Sequence, residues 1–250
     1  KRKVKTKVKG FRTTDGAGVK LVRVLGNLTT KEFDPILMLD SFDSINPDDY
    51  TAGFPMHPHR GIETISYVSR GKMVHRDSLG NEAGISDGEV QWMNSGSGIM
   101  HEEMVPAAER LLGVRLWLNL PAKDKMSKPS YNSIKNEDIK EIEIEGGKIR
   151  LLAGKYGEHE GYKGDYLSMD YYDIHLNADA EVTLTMEEDD SVMVFTLLGD
   201  VYIDGEHIEE KTAVKLTEGD SLTIKNGNEK AQVLYMNSRA LNEPVAWAGP

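Results

Sequence analysis

The chain has 250 residues, of which 39% are hydrophobic and 28% are charged, and this composition is typical of a folded globular protein and excludes a disordered one. Its formal net charge of -11 would repel a phosphate backbone, so we expect no direct nucleic-acid binding. Cysteine is absent, which excludes disulfides and thiolate metal ligands, and no apolar run resembles a membrane span or a signal peptide, so we expect a cytoplasmic protein without a membrane partner.

The chain begins with KRKVKTKVKGFR, a segment that carries seven Lys or Arg in twelve residues. A basic arm for an anionic partner is one interpretation of these charges. However, the lysines at odd positions alternate with Val4, Thr6 and Val8, as in a strand with one charged face. Lysines are a common protection of sheet edges, so the segment predicts an edge strand.

Short alternating segments bounded by Gly, Asp and Asn recur along the chain, among them VKLVRVLG, ETISYVSRG, VMVFTLLGDVYIDG and SLTIKNG. Helical periodicity is limited to two brief candidates, residues 107–111 and 136–139. Many short strands separated by turns are typical of a sandwich or barrel. The pattern therefore predicts an all-β protein with few short helices.

Two motifs in the first half place metal-binding side chains on one face of a strand. In GFPMHPHRGIE, His57 and His59 are two residues apart, so both imidazoles share a face of an extended chain. In GSGIMHEEM, His101 and Glu103 share a face by the same rule, and the two preceding glycines permit a tight turn toward the first strand. Such nitrogen and oxygen ligands suit one divalent transition metal: Fe, Mn, Co, Ni, Cu or Zn.

Alternation stops in residues 119–141, where Lys, Pro, Ser and Asn dominate, and we place a domain boundary near residue 130. The two halves share a faint repeat, in which a strand that ends in a glycine turn is followed by an Asp-Gly or Gly-Asp turn that opens another strand. The first copy is SYVSRGKMVHRDSLG with SDGEVQWM, and the second is FTLLGDVYIDG with TEGDSLTI. We therefore predict two barrels of similar design, a metal-binding domain over residues 1–130 and a domain without metal ligands over residues 131–250. In the second half, His159, His175 and His207 stand alone, and we expect surface or hydrogen-bonded structural roles for them.

The segment HPHRGIETISYVSRGKMVHRDSLG, followed by GEVQWMNSGSGIMHEEM, resembles the pirin family of the cupin superfamily. The likeness runs from about residue 15 to Pro250. It implies a bicupin with two jelly-roll barrels, whose N-terminal domain binds iron, expected as Fe(II), through three histidines and a glutamate. Those ligands map onto His57, His59, His101 and Glu103.

Glu63 competes with Glu103 for the fourth ligand position, because the wider cupin motif places a glutamate four residues after its second histidine. Glu103 is favoured, since Glu63 would face the metal only if the strand stayed regular through Gly61. Glu63 could instead orient a ligand imidazole. Either carboxylate is a candidate catalytic base, and for His75, in KMVHRDS, a hydrogen-bonded structural role is favoured over an approach to the site.

The leading functional hypothesis is a metal-dependent dioxygenase similar to quercetin 2,3-dioxygenase, which would take a small polyphenol and dioxygen as substrates, because some pirin-like proteins cleave the flavonol quercetin. The alternative is a non-catalytic redox-sensing or regulatory metalloprotein that binds a protein partner, and the acidic surface would suit a basic one. A sugar isomerase ranks last, because no general acid and base stand out. We expect a monomer.

Overall fold

A computed structural model describes residues 1–247, in which nearly all regular structure is extended. The first twelve strands are β1 Val4–Val8, β2 Phe11–Asp15, β3 Val19–Leu25, β4 Ile36–Ser44, β5 Phe54–His59, β6 Ile62–Arg70, β7 Met73–Asp77, β8 Glu82–Ile85, β9 Glu89–Asn94, β10 Ile99–Met104, β11 Leu111–Asn119 and β12 Ser130–Ile134. The next twelve are β13 Lys140–Ile144, β14 Gly147–Ala153, β15 Lys155–Tyr156, β16 His159–Glu160, β17 Met169–Leu176, β18 Glu181–Thr185, β19 Ser191–Leu198, β20 Val201–Ile203, β21 Glu206–Ile208, β22 Ala213–Leu216, β23 Ser221–Asn226 and β24 Ala231–Ser238.

The helices are short 3-10 turns at Pro47–Asp49, Ala122–Asp124 and Asn136–Asp138. The last of these confirms the candidate at 136–139, whereas the candidate at 107–111 is wrong. There the Tyr50 hydroxyl donates to the Ala108 carbonyl at 3.0 Å and accepts from the Ala108 amide at 2.9 Å, so these backbone groups bond to a side chain instead of a helical neighbour. Within residues 1–247, no helix has the length and apolar character that crossing a membrane requires.

The described chain divides into two compact units, and neither is one continuous stretch. The N-terminal unit comprises residues 10–30, 36–136 and 243–247, and the C-terminal unit comprises residues 1–9, 31–35 and 137–242. Strand β12 begins at residue 130, where we expected the boundary, and it pairs with β9 inside the N-terminal unit. The division between the two main segments therefore lies after this strand, between residues 136 and 137.

The N-terminal unit consists of two antiparallel sheets around one core. The seven-stranded sheet has the order β12-β9-β6-β11-β4-β3-β2, and the four-stranded sheet has the order β5-β10-β7-β8. Both sheets contribute to one apolar cluster, which includes Phe42, Val68, Phe54 and Met73. Burial of such side chains stabilises a fold by about 1.5–3 kcal/mol each, so this cluster holds the two sheets face to face.

The C-terminal unit repeats this design strand for strand. Its seven-stranded sheet has the order β1-β22-β19-β24-β17-β14-β13, and its four-stranded sheet has the order β18-β23-β20-β21. Strands β22, β19 and β24 thus take the places of β9, β6 and β11. The first part of the predicted repeat is confirmed, because β19 and β20 correspond to β6 and β7. The second part is wrong, because SDGEVQWM forms β9 whereas TEGDSLTI forms β23, the counterpart of β10. Strand β1 takes the edge position that β12 has in the other unit.

The basic N-terminal segment forms the predicted edge strand. Strand β1 pairs with β22 alone in its sheet. Its lysines meet acidic side chains: Lys7 Nζ lies 2.7 Å from Glu206, and Lys9 Nζ lies 2.5 Å from Glu209. These exposed ion pairs contribute little stability individually, but they leave a charged edge that disfavours pairing with another chain.

Candidate metal centre

Strands β5 and β10 bring the two sequence motifs together inside the N-terminal unit. His101 pairs with His57 in the antiparallel ladder, so their side chains share a face of the four-stranded sheet. The Nε2 atom of His57 lies 3.0 Å from Nε2 of His59 and 2.9 Å from Nε2 of His101. The two motifs therefore form one cluster of three imidazoles.

A glycine turn makes this approach of the strands feasible. Gly96 has a φ of +43°, and a Cβ atom there would lie 2.0 Å from the Ser127 carbonyl oxygen. The Gly98 amide closes the turn by donating to the Ser95 carbonyl at 2.8 Å. Only glycine fits such a position without strain, so the turn that we expected from GSGIM is present.

The distances from His57 Nε2 to the other two Nε2 atoms fit a transition metal. Two nitrogen ligands at about 2.1 Å from one ion lie about 3.0 Å apart at a right angle and about 3.4 Å apart at a tetrahedral angle. The observed separations of 2.9 and 3.0 Å match the right angle. His57 is thus spaced from each of the other two histidines as two ligands of one divalent ion would be, and all three donor atoms lie within 4.8 Å of one another.

The hydrogen bonding of His57 leaves its Nε2 atom free to bind a metal. Its Nδ1 atom lies 2.7 Å from the carbonyl oxygen of Pro55. A carbonyl oxygen can only accept, so the neutral His57 carries its hydrogen on Nδ1 and its lone pair on Nε2. A backbone carbonyl behind the ring is a usual way of orienting a metal-binding histidine.

Burial keeps two of the histidines neutral. It lowers the pKa of His59 to about 3 and the pKa of His101 to about 2, and the neighbouring imidazoles add to both shifts. Both rings are therefore uncharged near neutral pH. A histidine must be neutral to coordinate a metal, so these two rings are ready to do so.

Glu103 lies beside the histidine cluster. A register shift between His101 and Glu103 places Glu103 opposite Phe54 on β5. Its Oε1 atom is 3.8 Å from His101 Nε2, and its Oε2 atom accepts a short hydrogen bond from the Gln91 side-chain amide. Gln91 thereby fixes one carboxylate oxygen, while the other lies on the side of the histidines.

A buried charge network supports this carboxylate. Arg115 Nη1 lies 4.0 Å from Glu103 Oε1, and its Nη2 donates to Asp40 at 2.7 Å. Asp40 also accepts from Arg23 at 2.9 and 3.0 Å, and the Arg115 guanidinium lies 4.3 Å from the centre of the Phe54 ring. Arg115 thus supplies a buried positive charge close to Glu103 Oε1.

The structure does not bring Glu63 to the cluster. Gly61 has a φ of +72°, and the chain turns there from the four-stranded sheet into β6 of the seven-stranded sheet. Glu63 accepts from Trp92 Nε1 at 2.8 Å, whereas Gln91, the residue before Trp92, bonds Glu103. Consecutive strand residues point to opposite faces, so Glu63 lies on the other face of the sheet from Glu103.

An aromatic wall borders the cluster. Trp117 meets the His59 ring edge-on at a centroid distance of 5.5 Å, and Trp247 stacks on Trp117 at 5.6 Å. A surface cavity of about 460 Å³ opens beside His59 and is lined by Pro58, His59, Arg60, Ser78, Gly98, Ile99 and Met100. Its volume lies within the range of small-molecule sites, about 300–1,000 Å³.

The sequence did not predict several residues that lie around the site. Gln91 lies in a strand that we recognised, but nothing in GEVQWM indicates that its amide faces a carboxylate. Tyr131 lies in the segment that we took for a boundary, and its ring stacks on His75 at 3.9 Å. His75 is hydrogen-bonded as favoured, and its Nδ1 atom also lies 3.4 Å from Nδ1 of His101.

In the C-terminal unit, apolar side chains occupy the strands equivalent to those that carry the histidine cluster. The strands equivalent to β5 and β10 are β18 and β23, whose buried positions are Val182, Leu184, Leu222 and Ile224. Two histidines of this unit form hydrogen bonds with carboxylates. His175 lies 3.0 Å from Asp173, and His207 lies 2.8 Å from Asp200. These contacts agree with hydrogen-bonded structural roles.

Comparison with known protein families matches both halves of the chain. Residues 18–118 match the family model for pirin, and residues 171–250 match the model for the pirin C-terminal cupin domain. A pirin-like protein of Caulobacter vibrioides is 38% identical over 247 residues, which cover 97% of this chain and 89% of that protein.

Solved structures agree with this match. The crystal structure of a quercetin 2,3-dioxygenase from Acinetobacter baumannii superposes with a TM-score of 0.89 at 29% identity, covering 100% of this chain and 91% of that one. A bacterial pirin from Escherichia coli in complex with nickel(II) shares the fold, with a TM-score of 0.73 at 19% identity and coverage of 94% and 98%. The predicted all-β fold with two cupin-type barrels is confirmed, and the chain belongs to the pirin family.

Proposed function

We propose that this chain binds one divalent transition metal, Fe(II), on His57, His59 and His101, with Glu103 as the fourth ligand. The convergence of three histidines, with His57 Nε2 about 3 Å from the Nε2 atoms of the other two, carries the proposal. Neutral His59 and His101 and the correctly oriented His57 support it. The donor set of three nitrogens and one oxygen suits Fe(II), and it also suits Mn, Co, Ni, Cu and Zn.

We further propose that the protein is a dioxygenase for flavonols such as quercetin. The likeness to a solved quercetin 2,3-dioxygenase over the full length of the chain supports this substrate class. Trp117, on which Trp247 stacks, gives the cluster an apolar aromatic border beside His59, which suits an aromatic substrate. When bound, the metal would polarise a substrate oxygen and lower the pKa of a hydroxyl attached to it.

Glu103 would accept the proton of this hydroxyl on Oε1, the same oxygen that would bind the metal, so the proton would replace the metal as the partner of this oxygen. One of its oxygens is held by Gln91, so the side chain cannot rotate freely, and the other lies near His101. A base must lie within about 3 Å of the proton it takes, directly or through one water. Glu63 lies on the opposite face of its sheet, so we assign the proton transfer to Glu103 alone.

The test is oxygen uptake by protein loaded anaerobically with Fe(II) and mixed with a panel of flavonols. Glu103→Gln should reduce turnover about 10²- to 10⁴-fold, the usual contribution of a positioned base, and should also weaken metal binding. Glu63→Gln is the matched control, because its amide oxygen can still accept from Trp92, and it should keep near-normal turnover.

Equal oxygen uptake by the wild-type protein and His59→Ala, or no uptake above that of free iron, would contradict the dioxygenase. Iron-dependent capture of a defined protein partner without turnover would favour the regulatory alternative instead.

A further inference from the structure

A fourth histidine lies buried beside the three-histidine cluster, paired with a carboxylate. His75 on β7 lies opposite Glu103 in the ladder with β10. Its Nε2 atom is 2.6 Å from Asp77 Oδ2, and its Nδ1 atom is 3.4 Å from Nδ1 of His101. The side chains of His75 and Asp77 are both inaccessible to solvent. Asp77, His75 and His101 thus form a continuous chain of polar contacts.

The direction of these hydrogen bonds follows from the carboxylate. Asp77 Oδ1 accepts from the backbone amides of Leu79 at 2.8 Å and Asn81 at 3.2 Å, while Oδ2 faces His75 and accepts from the Asn81 side-chain amide at 2.9 Å. A carboxylate only accepts, so His75 carries a hydrogen on Nε2, and in the neutral ring its Nδ1 is an acceptor. His101 then donates from Nδ1, and its lone pair remains on Nε2.

We propose that Asp77 and His75 form a relay that fixes the tautomer of His101 and so presents its Nε2 atom to the metal. The proposal rests on the metal site proposed above. Asp77 and His75 are positioning residues, because they act through His101. Tyr131 holds the relay in place, since its ring lies nearly parallel to that of His75, at 14°. The relay does for His101 what the Pro55 carbonyl does for His57.

The C-terminal unit contains a similar pair that serves as a control. His175 Nε2 lies 3.0 Å from Asp173 Oδ2 on β17. In the part of the chain that the structure describes, the cluster of metal-binding side chains consists of His57, His59 and His101. Substitution of His175 should therefore disturb a histidine–carboxylate pair without affecting metal binding.

The first experiment measures the histidine tautomers in the metal-free protein by long-range ¹H–¹⁵N correlation NMR. In the wild-type protein we expect hydrogen on Nε2 of His75 and on Nδ1 of His101. In Asp77→Asn the amide oxygen should stay with the two backbone amides, so the NH₂ group would face His75 Nε2. His75 should then carry its hydrogen on Nδ1 and His101 on Nε2, a switch that a merely structural role would not produce.

The second experiment measures zinc affinity by competition with a chelator. Asp77→Asn and His75→Gln should each weaken binding about 10- to 100-fold, as is typical for partners of metal-binding histidines, while His175→Gln should bind zinc like the wild-type protein. If Asp77→Asn fails to fold, His75→Gln and the wild-type tautomers still test the relay.

Hydrogen on Nε2 of His101 in the wild-type protein, or unchanged zinc affinity in folded Asp77→Asn and His75→Gln, would overturn the relay. A protein with the expected tautomers and zinc affinities but no flavonol turnover would instead refute the dioxygenase and leave the relay standing.

Discussion

His59 and His101 are buried as neutral imidazoles, so the stability of the metal-free protein should depend on pH. Burial lowers their pKa values to about 3 and about 2 in the folded state, whereas an unfolded histidine titrates near about pH 6.5. Below that pH the unfolded chain binds more protons than the folded one. The contribution of these two histidines to the free energy of unfolding should therefore be complete above about pH 6.5. It should fall as pH decreases from there toward the folded pKa values.

Urea denaturation of the chelator-treated protein between neutral pH and mild acid measures this effect. Each of these two histidines can contribute a slope of up to about 1.4 kcal/mol per pH unit. The double variant His59→Gln/His101→Gln should show a shallower loss of stability than the wild-type protein. Identical pH dependences would mean that these rings are not the groups responsible.

Arg115 provides a second test at the level of one residue. Its side chain is 6% exposed and donates to Asp40, whose side chain is fully buried. Removal of one partner of a buried pair typically costs about 3–5 kcal/mol, and we expect the lower end for Arg115→Ala because Asp40 keeps its bonds to Arg23. Chemical denaturation measures the loss.

Arg110→Ala is the control for this comparison, because Arg110 forms a more exposed pair with Asp43, which should contribute at most about 1 kcal/mol. Similar small losses in both variants would show that the Arg115 network does not stabilise the N-terminal unit.

Some contacts between individual residues can be predicted from the sequence, and others cannot. The pairing of His57 with His59 follows from strand periodicity alone, because both residues lie on one regular strand. The position of Glu63 does not, because it depends on the backbone turn at Gly61. The contact of Gln91 with Glu103 is also hidden, since β9 and β10 are consecutive in the chain but belong to different sheets, and the sequence does not show that these sheets face each other.

Among the elements, strand β1 depends on a buried arginine just before it. Arg2 is 1% exposed, and its guanidinium donates to four carbonyl oxygens at distances of 2.8 to 3.2 Å, those of Gly219, Asp190, Glu187 and Glu188. Planar guanidinium geometry suits several acceptors at once, which a lysine ammonium cannot match. Arg2 therefore fixes the start of β1 to the C-terminal unit.

We expect Arg2→Ala to destabilise the protein by about 1.5–3 kcal/mol, the usual range for hydrogen bonds to charged groups, and to accelerate amide exchange in β1 and β22. Lys3→Ala should change stability by no more than about 0.5 kcal/mol, because the Lys3 side chain is 67% exposed. Unchanged exchange in Arg2→Ala would show that β1 is held by its ladder alone.

The sequence predicted that these elements are strands more readily than it predicted the sheet to which each strand belongs. Alternation of lysines identified β1 as an edge strand, yet nothing local shows that it completes the sheet of the C-terminal unit. Strand β12 was hidden because SYNSI is polar and lies among Lys, Pro and Asn. An edge strand needs only one covered face, so its apolar pattern is weak.

The molecule as a whole repeats one sheet design twice, but among the described residues it combines that design with a three-histidine cluster only in the N-terminal unit. The buried positions of β18 and β23 carry aliphatic residues, which fill the interior of their unit. The sequence allowed this asymmetry to be predicted, because the paired histidines occur in the first half only. The central claim is therefore one metal ion for each chain, bound by the histidine cluster.

Elemental analysis of the purified protein after loading with Fe(II) and removal of excess metal tests this claim most directly. The account predicts about one equivalent per chain, almost complete loss in His57→Ala/His101→Ala, and retention in His175→Ala/His207→Ala. Metal in excess at about 100 times its dissociation constant should also stabilise the fold by about 2.7 kcal/mol. Two tightly bound ions per chain, or undiminished binding by His57→Ala/His101→Ala, would contradict it.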